Sequence, residues 1–348
     1  MKKMLWSISI GLICLVYVST AGAAIRVVAY NCANRPNNTT QEDQFRTVFQ
    51  AIGNESVNGI AKRLDILVMS EMDPSSATSL TTILNNLYNV NTYTHDLSSQ
   101  VSGDRTGVIY DSSTVTLVGN AADLTTIGTH PILRAQFRPA GSTAANEQFY
   151  VYAIHLKSGD TTSDIALRAT EATSLRNDAD ALGQGAHIIY AGDFNLTGSS
   201  EGAWTNLLAA GNGQAFDPAN APGGWRDNAA FINLHSQNPG TAMDDRFDFE
   251  FISGEFSDGN GIDYVANSFR AFGNNGTHIL DGAITTGTGA STNVLNALAN
   301  ASDHLPVVAD FEIVGTTPPI SLRQQILQRI TQLEQELAAL RALAQQLP

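Results

Sequence analysis

Six short segments of this chain set polar residues at the border of an apolar run, where a β-sheet can project side chains into a shared cleft. They are Val27-Val28-Ala29-Tyr30-Asn31, Val68-Met69-Ser70-Glu71, Ala153-Ile154-His155 and Tyr190-Ala191-Gly192-Asp193-Phe194-Asn195, followed by Arg246-Phe247-Asp248 and Ser302-Asp303-His304. A single acid at a strand end is more often a turn or helix cap, and a single histidine is more often a hydrogen-bonded structural residue. The ensemble is more specific. Asn31, Glu71, Asp193, Asn195 and Asp303 are oxygen donors without a thiol among them, a set suited to a hard divalent cation, Mg²⁺ or Mn²⁺ first and Ca²⁺ as an alternative. Several carboxylates buried together need a cation or protons to offset their desolvation. The same cation would polarise a phosphoryl oxygen and stabilise a leaving oxygen.

The elements that must position these residues follow from the periodicity of the sequence. Alternating or continuous apolar runs predict strands at 25–30, 66–69, 108–110, 149–156, 187–191, 246–252 and 305–313, and a 3.6-residue period predicts helices at 43–51, 165–182 and 203–209. Gly- and Asn-rich loops are expected at 210–228 and 272–293. Because strand side chains alternate, Asp193 and Asn195 are expected on one side. By the same rule Arg246, Asp248 and Glu250 share a face, so that Phe247, Phe249 and Phe251 can fill a core while Arg246 and Asp248 face a polar site. This mixture predicts one large α/β domain over 24–314.

The chain has 348 residues, 43% of them hydrophobic, which excludes global disorder. Its 33 acids against 19 bases give a net charge of −14, which excludes a protein that grips nucleic acid by blanket positive charge. Residues 1–23 read as a secretion signal: Lys2 and Lys3, an apolar run over 4–18, then small residues with a cleavage point after about Ala23. Such a protein is expected in the periplasm or outside the cell. Cys14 would leave with the signal, and Cys32 would be the remaining thiol, so neither an internal disulfide nor a cysteine zinc site is expected. Residues 315–320 read as a linker. Beyond it, over 321–348, Ile326, Ile330, Leu333, Leu337, Leu340, Ala344 and Leu347 are spaced as a heptad seam, which predicts a coiled-coil-like helix and a homo-oligomer, with folding back on the domain as the alternative.

The order of these segments resembles the endonuclease/exonuclease/phosphatase superfamily, the DNase I-like proteins. The resemblance spans about 25–314 and is carried by Asn31, Glu71, His155, Gly192-Asp193-Phe194-Asn195, Arg246-Phe247-Asp248 and Ser302-Asp303-His304. The Gly-Asp-Phe-Asn and Ser-Asp-His blocks are its specific parts; Ser70 stands where the family usually has Gln. The resemblance implies a four-layer α/β/β/α sandwich of two mainly antiparallel sheets. It implies Glu71 as the main metal ligand, with Asn31 and Asp303 completing that side. Asp193 and Asn195 would orient the attacking water or bind a second ion. Asp248 would orient His304, and His155 would contact the scissile phosphate and protonate the leaving oxygen. Either Asp193 or His304 would take the water proton. Arg105 and Arg168 are candidates for further phosphate contacts, beside the plainer reading of solvated or ion-paired arginines.

The reaction so implied is metal-dependent hydrolysis of a phosphate ester by in-line water attack. A secreted nuclease acting on nucleic acid is the leading reading, and a phospholipid phosphodiesterase or a phosphatase of the same fold is the alternative. Gly198-Ser199-Ser200-Glu201-Gly202 matches the serine-hydrolase pattern, but it does not directly follow a strand as a nucleophile elbow must, and a helix cap accounts for its serines. A secreted binding module without catalysis is the remaining alternative. Neither a Walker A nor a GxGxxG loop occurs, so no nucleotide cofactor is expected.

Overall fold

In a computed structural model, the protein is described over residues 24–99, 104–124, 128, 130–314 and 330. The expected leader (1–23), the linker (315–320) and, but for Ile330, the heptad helix (321–348) lie outside the described residues. In chain order the first elements are β1 (Ala24–Asn31), α1 (Thr39–Asn54), the small hairpin β2 (Ser56–Val57) and β3 (Ile60–Ala61), then β4 (Ile66–Met72) and α2 (Pro74–Tyr88). Next come β5 (Tyr93–Leu97), β6 (Arg105–Asp111), β7 (Val115–Leu117), β8 (Ala122–Asp123), β9 (Leu133–Pro139) and β10 (Phe149–His155). The rest are α3 (Thr162–Ala181), β11 (His187–Asp193), α4 (Gly202–Leu208), β12 (Ala215–Phe216), β13 (Asp248–Ser253), β14 (Gly261–Tyr264), β15 (Arg270–Ala271), α5 (Thr292–Ala301) and β16 (Val307–Val314).

The strands form two larger sheets, ordered β14-β16-β1-β4-β6-β5 with β15 on β16, and β12-β13-β11-β10-β9-β7 with β8 on β9. Each is antiparallel except for one central pair, β1 with β4 in the first sheet and β10 with β11 in the second. Three cores separate four layers. Val27, Ala29, Val68, Val151, Ala153, Ile189 and Ala191 fill the space between the sheets. Val28, Tyr30, Leu67 and Met69 on the outer face of the first sheet meet Phe45, Phe49, Leu80, Leu84 and Leu298 of α1, α2 and α5. Tyr152, Ile154, Ile188 and Phe251 on the outer face of the second meet Ala172, Leu175, Trp204 and Leu207 of α3 and α4. The expected four-layer sandwich is what forms.

The helices start where local chemistry satisfies their free N–H groups. Asn38 accepts from Gln41 N at 3.0 Å ahead of α1, and Asp73 accepts from Ser75 N at 2.8 Å ahead of α2, with Pro74 in its first turn. Thr161 and Asp164 form a reciprocal capping box on α3. At α4 the expectation fails: neither Ser199 nor Ser200 caps it, because Glu201 holds the N-cap position without a side-chain cap bond.

Arg26 of β1 points into the outer core and is fully buried. Its Nε donates to Asp310 Oδ1 at 2.7 Å, and its other nitrogens reach Asp310 Oδ2 and the carbonyls of Ile52, Ile60 and Lys62. The guanidinium thus ties β1 and β16 to the C-terminus of α1 and the small hairpin. Arg26→Ala leaves buried Asp310 with the longer Arg270 contact at 3.6 Å and takes the donor from the carbonyls of Ile52, Ile60 and Lys62, and is expected to cost about 3 kcal/mol of stability. Urea unfolding checks this, and a loss under about 1 kcal/mol would contradict it.

Candidate active site

Strand alternation brings most of the predicted residues together. Val27 and Ala29 of β1, Val151 and Ala153 of β10, and Ile189 and Ala191 of β11 all face the opposing sheet. Asn31, His155 and Asp193 are the next residues of the same parity, each at the C-terminal end of its strand. On β13, Ile252 faces the same core, so Asp248 and Glu250 face inward too, and Asp248 pairs with Asp193 across the ladder. The cleft therefore opens at the carboxyl ends of the two parallel pairs.

Glu71 reaches the cleft by another route. Leu67 and Met69 face the helices, and simple alternation would send Glu71 after them. A register shift between Met69 and Met72, with Glu71 at φ +51°, turns its carboxylate inward while Met72 returns to the outer core. Gly192 is demanded by packing: at its φ of +139° a Cβ would sit 2.0 Å from the Ile154 carbonyl oxygen of the parallel partner.

At the centre, Asn31 Nδ2 donates to Glu71 Oε1 at 2.9 Å and to Asp193 Oδ2 at 3.0 Å. His155 Nε2 lies 3.8 Å from both of those oxygens. His304 Nε2 lies 3.7 Å from Asp193 Oδ2, and its Nδ1 bonds Asp248 Oδ2 at 2.8 Å. Ser236 Oγ donates to the same Asp248 oxygen at 2.6 Å. Asn195, at φ +51°, gives its main-chain N–H to Asp193 Oδ1 and its side-chain amide to the Leu156 carbonyl, so it braces Asp193. Ser302 Oγ donates to Asn31 O at 2.7 Å, which ties the Ser-Asp-His block to the end of β1. Asp303 is exposed, and its charge acts on both Glu71 and His304.

Burial raises the carboxyls of Glu71 and Asp193 above their usual range, and none of the leading influences on either is a lysine or arginine. Burial lowers His155 to about 4, which keeps it neutral. Burial also opposes a charge on His304, but the Asp248 and Asp193 carboxylates outweigh it and hold His304 up to about 10. One ligand atom each from Glu71, His155 and Asp193 lies within 4.8 Å of the others. Rich in carboxylate oxygens and with no lysine or arginine among its leading influences, this set fits a divalent cation. In the orientation seen, Asn31 serves it as a donor to both carboxylates; a turned amide would offer its oxygen instead.

The expected arginines have partners within the protein. Arg168 is fully buried, pairs with Glu201 at 2.8 Å and donates to the carbonyls of Lys157 and Gly159, so its guanidinium is a structural tie and not a phosphate contact. Arg105 opens β6 and donates to the Ser98 carbonyl at 3.2 Å. Arg246 turns away from the polar side, fully buried over the Phe249 ring at 4.2 Å and paired with Asp217 at 2.7 Å. Two residues near the centre carry no sequence signal that would mark them, Ser236 on Asp248 and His130, whose ring stacks on His155 at 4.0 Å.

No protein-family model matches the sequence, and no curated protein matches it. Solved structures do. An endonuclease/exonuclease/phosphatase family protein from Bacteroides thetaiotaomicron is 13% identical with a TM-score of 0.54, over 83% of this chain and 98% of that one. D. rerio TDP2, complexed with a single-strand DNA product, is 16% identical with a TM-score of 0.52, over 83% of this chain and 99% of its own. A mannosyl-6-phosphatase, also from Bacteroides thetaiotaomicron, is 13% identical with a TM-score of 0.53, over 82% and 99%. Likeness at these identities is likeness of fold, and the fold of this chain is that of the endonuclease/exonuclease/phosphatase proteins.

Proposed function

We propose that the protein is a divalent-metal-dependent hydrolase of phosphate esters whose substrate is nucleic acid, exported by residues 1–23 and self-associating through 321–348. The observation that carries the hydrolase reading is the convergence of Glu71, His155 and Asp193 on one point, with the His304–Asp248 pair beside it. The TDP2 likeness supports nucleic acid as the substrate class.

A divalent cation held by Glu71 and Asp193, with Asn31 and Asp303 beside them, would offset their charge and polarise the phosphoryl oxygen. The chain's own residues supply the rest. In the metal-free protein two carboxylates hold His304 charged, which makes it an electrostatic partner for the phosphoryl oxygens and leaves Asp193 as the candidate base. Asp193 then takes the proton of the attacking water, with Asn195 fixing its other oxygen. Water oxygen bonds to phosphorus, the ester P–O bond breaks in line, and the leaving oxygen takes up a proton from solvent water. Neutral His155 donates a hydrogen bond to the phosphate or to that oxygen.

A compact phosphate ester or a phospholipid headgroup is the second reading, favoured by the acidity around the cleft. Asp160 follows β10, Arg226 is taken up by Asp160 and Asp245, and Asp227, Asp244 and Asp281 cluster with no base among them. Such surroundings repel a long polyanion.

Assays of plasmid DNA, RNA, sphingomyelin and bis-p-nitrophenyl phosphate with Mg²⁺, Mn²⁺ or Ca²⁺ decide between these readings. Cleavage of DNA or RNA that stops in EDTA and falls about 10²-fold or more in Asp193→Asn and His304→Ala is expected. Cleavage of lipid or of the small ester alone favours the second reading. Cleavage of none, or cleavage indifferent to both substitutions, removes the site.

The metal-free protein carries a pH signature of its own. His304 binds its proton more tightly folded than at the usual value of 6.5, so its contribution to stability is complete below pH 6.5 and is lost as pH rises towards about 10. NMR of the imidazole nitrogens is expected to find His304 doubly protonated at pH 8; a neutral ring at pH 8 would reverse its assignment and make it the base.

A further inference from the structure

His155 and His304 flank the same carboxylate but are held in different ways. Asp248 fixes His304 through a hydrogen bond of 2.8 Å. Among the described residues no such acid serves His155. Its Nδ1 is buried without a hydrogen-bond partner among the described residues, and its Nε2 stands 3.8 Å from Glu71 and Asp193, beyond hydrogen-bond reach. The torsion that turns an imidazole about its Cβ–Cγ bond is soft, so hydrogen bonding leaves this ring plane undetermined.

The His130 ring lies against its face. The two rings stack with centroids 4.0 Å apart and planes 16° from parallel. His130 is well anchored for such a task. The next residue is Pro131, which confines the His130 backbone, and the Pro131 carbonyl accepts from the buried Thr106 hydroxyl at 2.8 Å. The His130 ring is hydrogen-bonded with the Asp104 main chain. The Asp104 carboxylate in turn accepts from the Asn34 amide, and Asn34 N donates to the Glu71 carbonyl at 2.7 Å. Contacts therefore run from Glu71 through Asn34, Asp104 and His130 to His155, from one sheet to the other.

We propose that His130 is the positioning residue of His155: its ring face holds the His155 imidazole with Nε2 directed between Glu71 and Asp193, the service that Asp248 performs for His304. The kinetic consequence rests on the proposed hydrolase reading; the structural one does not. An aromatic ring at position 130 preserves the stack without the hydrogen bond to Asp104, whereas alanine removes both.

His130→Ala and His130→Phe separate these elements. In metal-free protein, the His155 ring protons, assigned with a His155→Gln variant, are expected upfield through the ring current of residue 130. They should stay upfield in His130→Phe and move downfield in His130→Ala, while circular dichroism confirms that both variants are folded. With bis-p-nitrophenyl phosphate and Mg²⁺, kcat should fall about tenfold in His130→Ala with KM little changed, and His130→Phe should restore most of it. His155 resonances unmoved in His130→Ala, or equal kcat losses in the two variants, would overturn the proposal. Wild-type protein that hydrolyses no substrate would defeat the hydrolase reading alone, and the NMR comparison would still decide the role of His130.

Discussion

One side-chain amide joins the two halves of this molecule where it matters. Asn31 ends β1 in the first sheet, and its Nδ2 donates to Glu71 of the same sheet and to Asp193 of the opposing one. Those carboxylates meet because the central parallel pair of each sheet ends at the same rim of the sandwich. Nothing in the aliphatic core between the sheets selects that rim by itself; the amide and the charges around it hold the polar edge together. Asn31, His155, Asp193, Asp248 and His304 are all buried there, so the charge balance is decided among a few groups.

That balance divides the two histidines. Both rings stand 3.7–3.8 Å from Asp193, but the 2.8 Å bond to Asp248 helps push His304 up to about 10, while buried His155, with Glu71 and Asp193 both at 3.8 Å, stays neutral. Similar burial thus yields opposite protonation, and partner geometry decides which. The overall charge of −14 acts on a different scale. It describes a surface with little general attraction for phosphate chains, so on the proposed reading the positive charge of the cleft would come from His304 and a divalent cation.

Much of the site was legible because strand parity is a strict rule. Asn31, His155, Asp193 and Asp248 follow from it, each continuing a row of residues packed between the sheets. What parity alone does not explain is the placement of residues where the backbone leaves the alternation or where a loop supplies the partner. Glu71 depends on a left-handed residue at a bulge, and Asn195 braces Asp193 from just beyond the strand end. Arg246 precedes β13 and turns out of the alternation into the aromatic cluster. Ser236 and His130 come from loops whose course depends on tertiary packing. Among the helices, α2 was missed because Ser, Thr and Asn make up most of its polar face, and these residues favour caps and turns over helix interiors; its buried Leu80, Ile83 and Leu84 carry the helical spacing. α5 was missed at the edge of a Gly-rich loop, although its capping Ser291 was visible in the sequence.

The central claim is that Glu71 and Asp193 form a centre for a divalent cation, with His155 beside it. Calorimetric titration of the metal-free protein with Mn²⁺ tests it without reference to any substrate. The account predicts a binding event that is lost or at least tenfold weaker in Glu71→Gln and in Asp193→Asn, and retained in Arg168→Lys, whose guanidinium is committed to Glu201. Mn²⁺ binding of equal strength in all four proteins would contradict it.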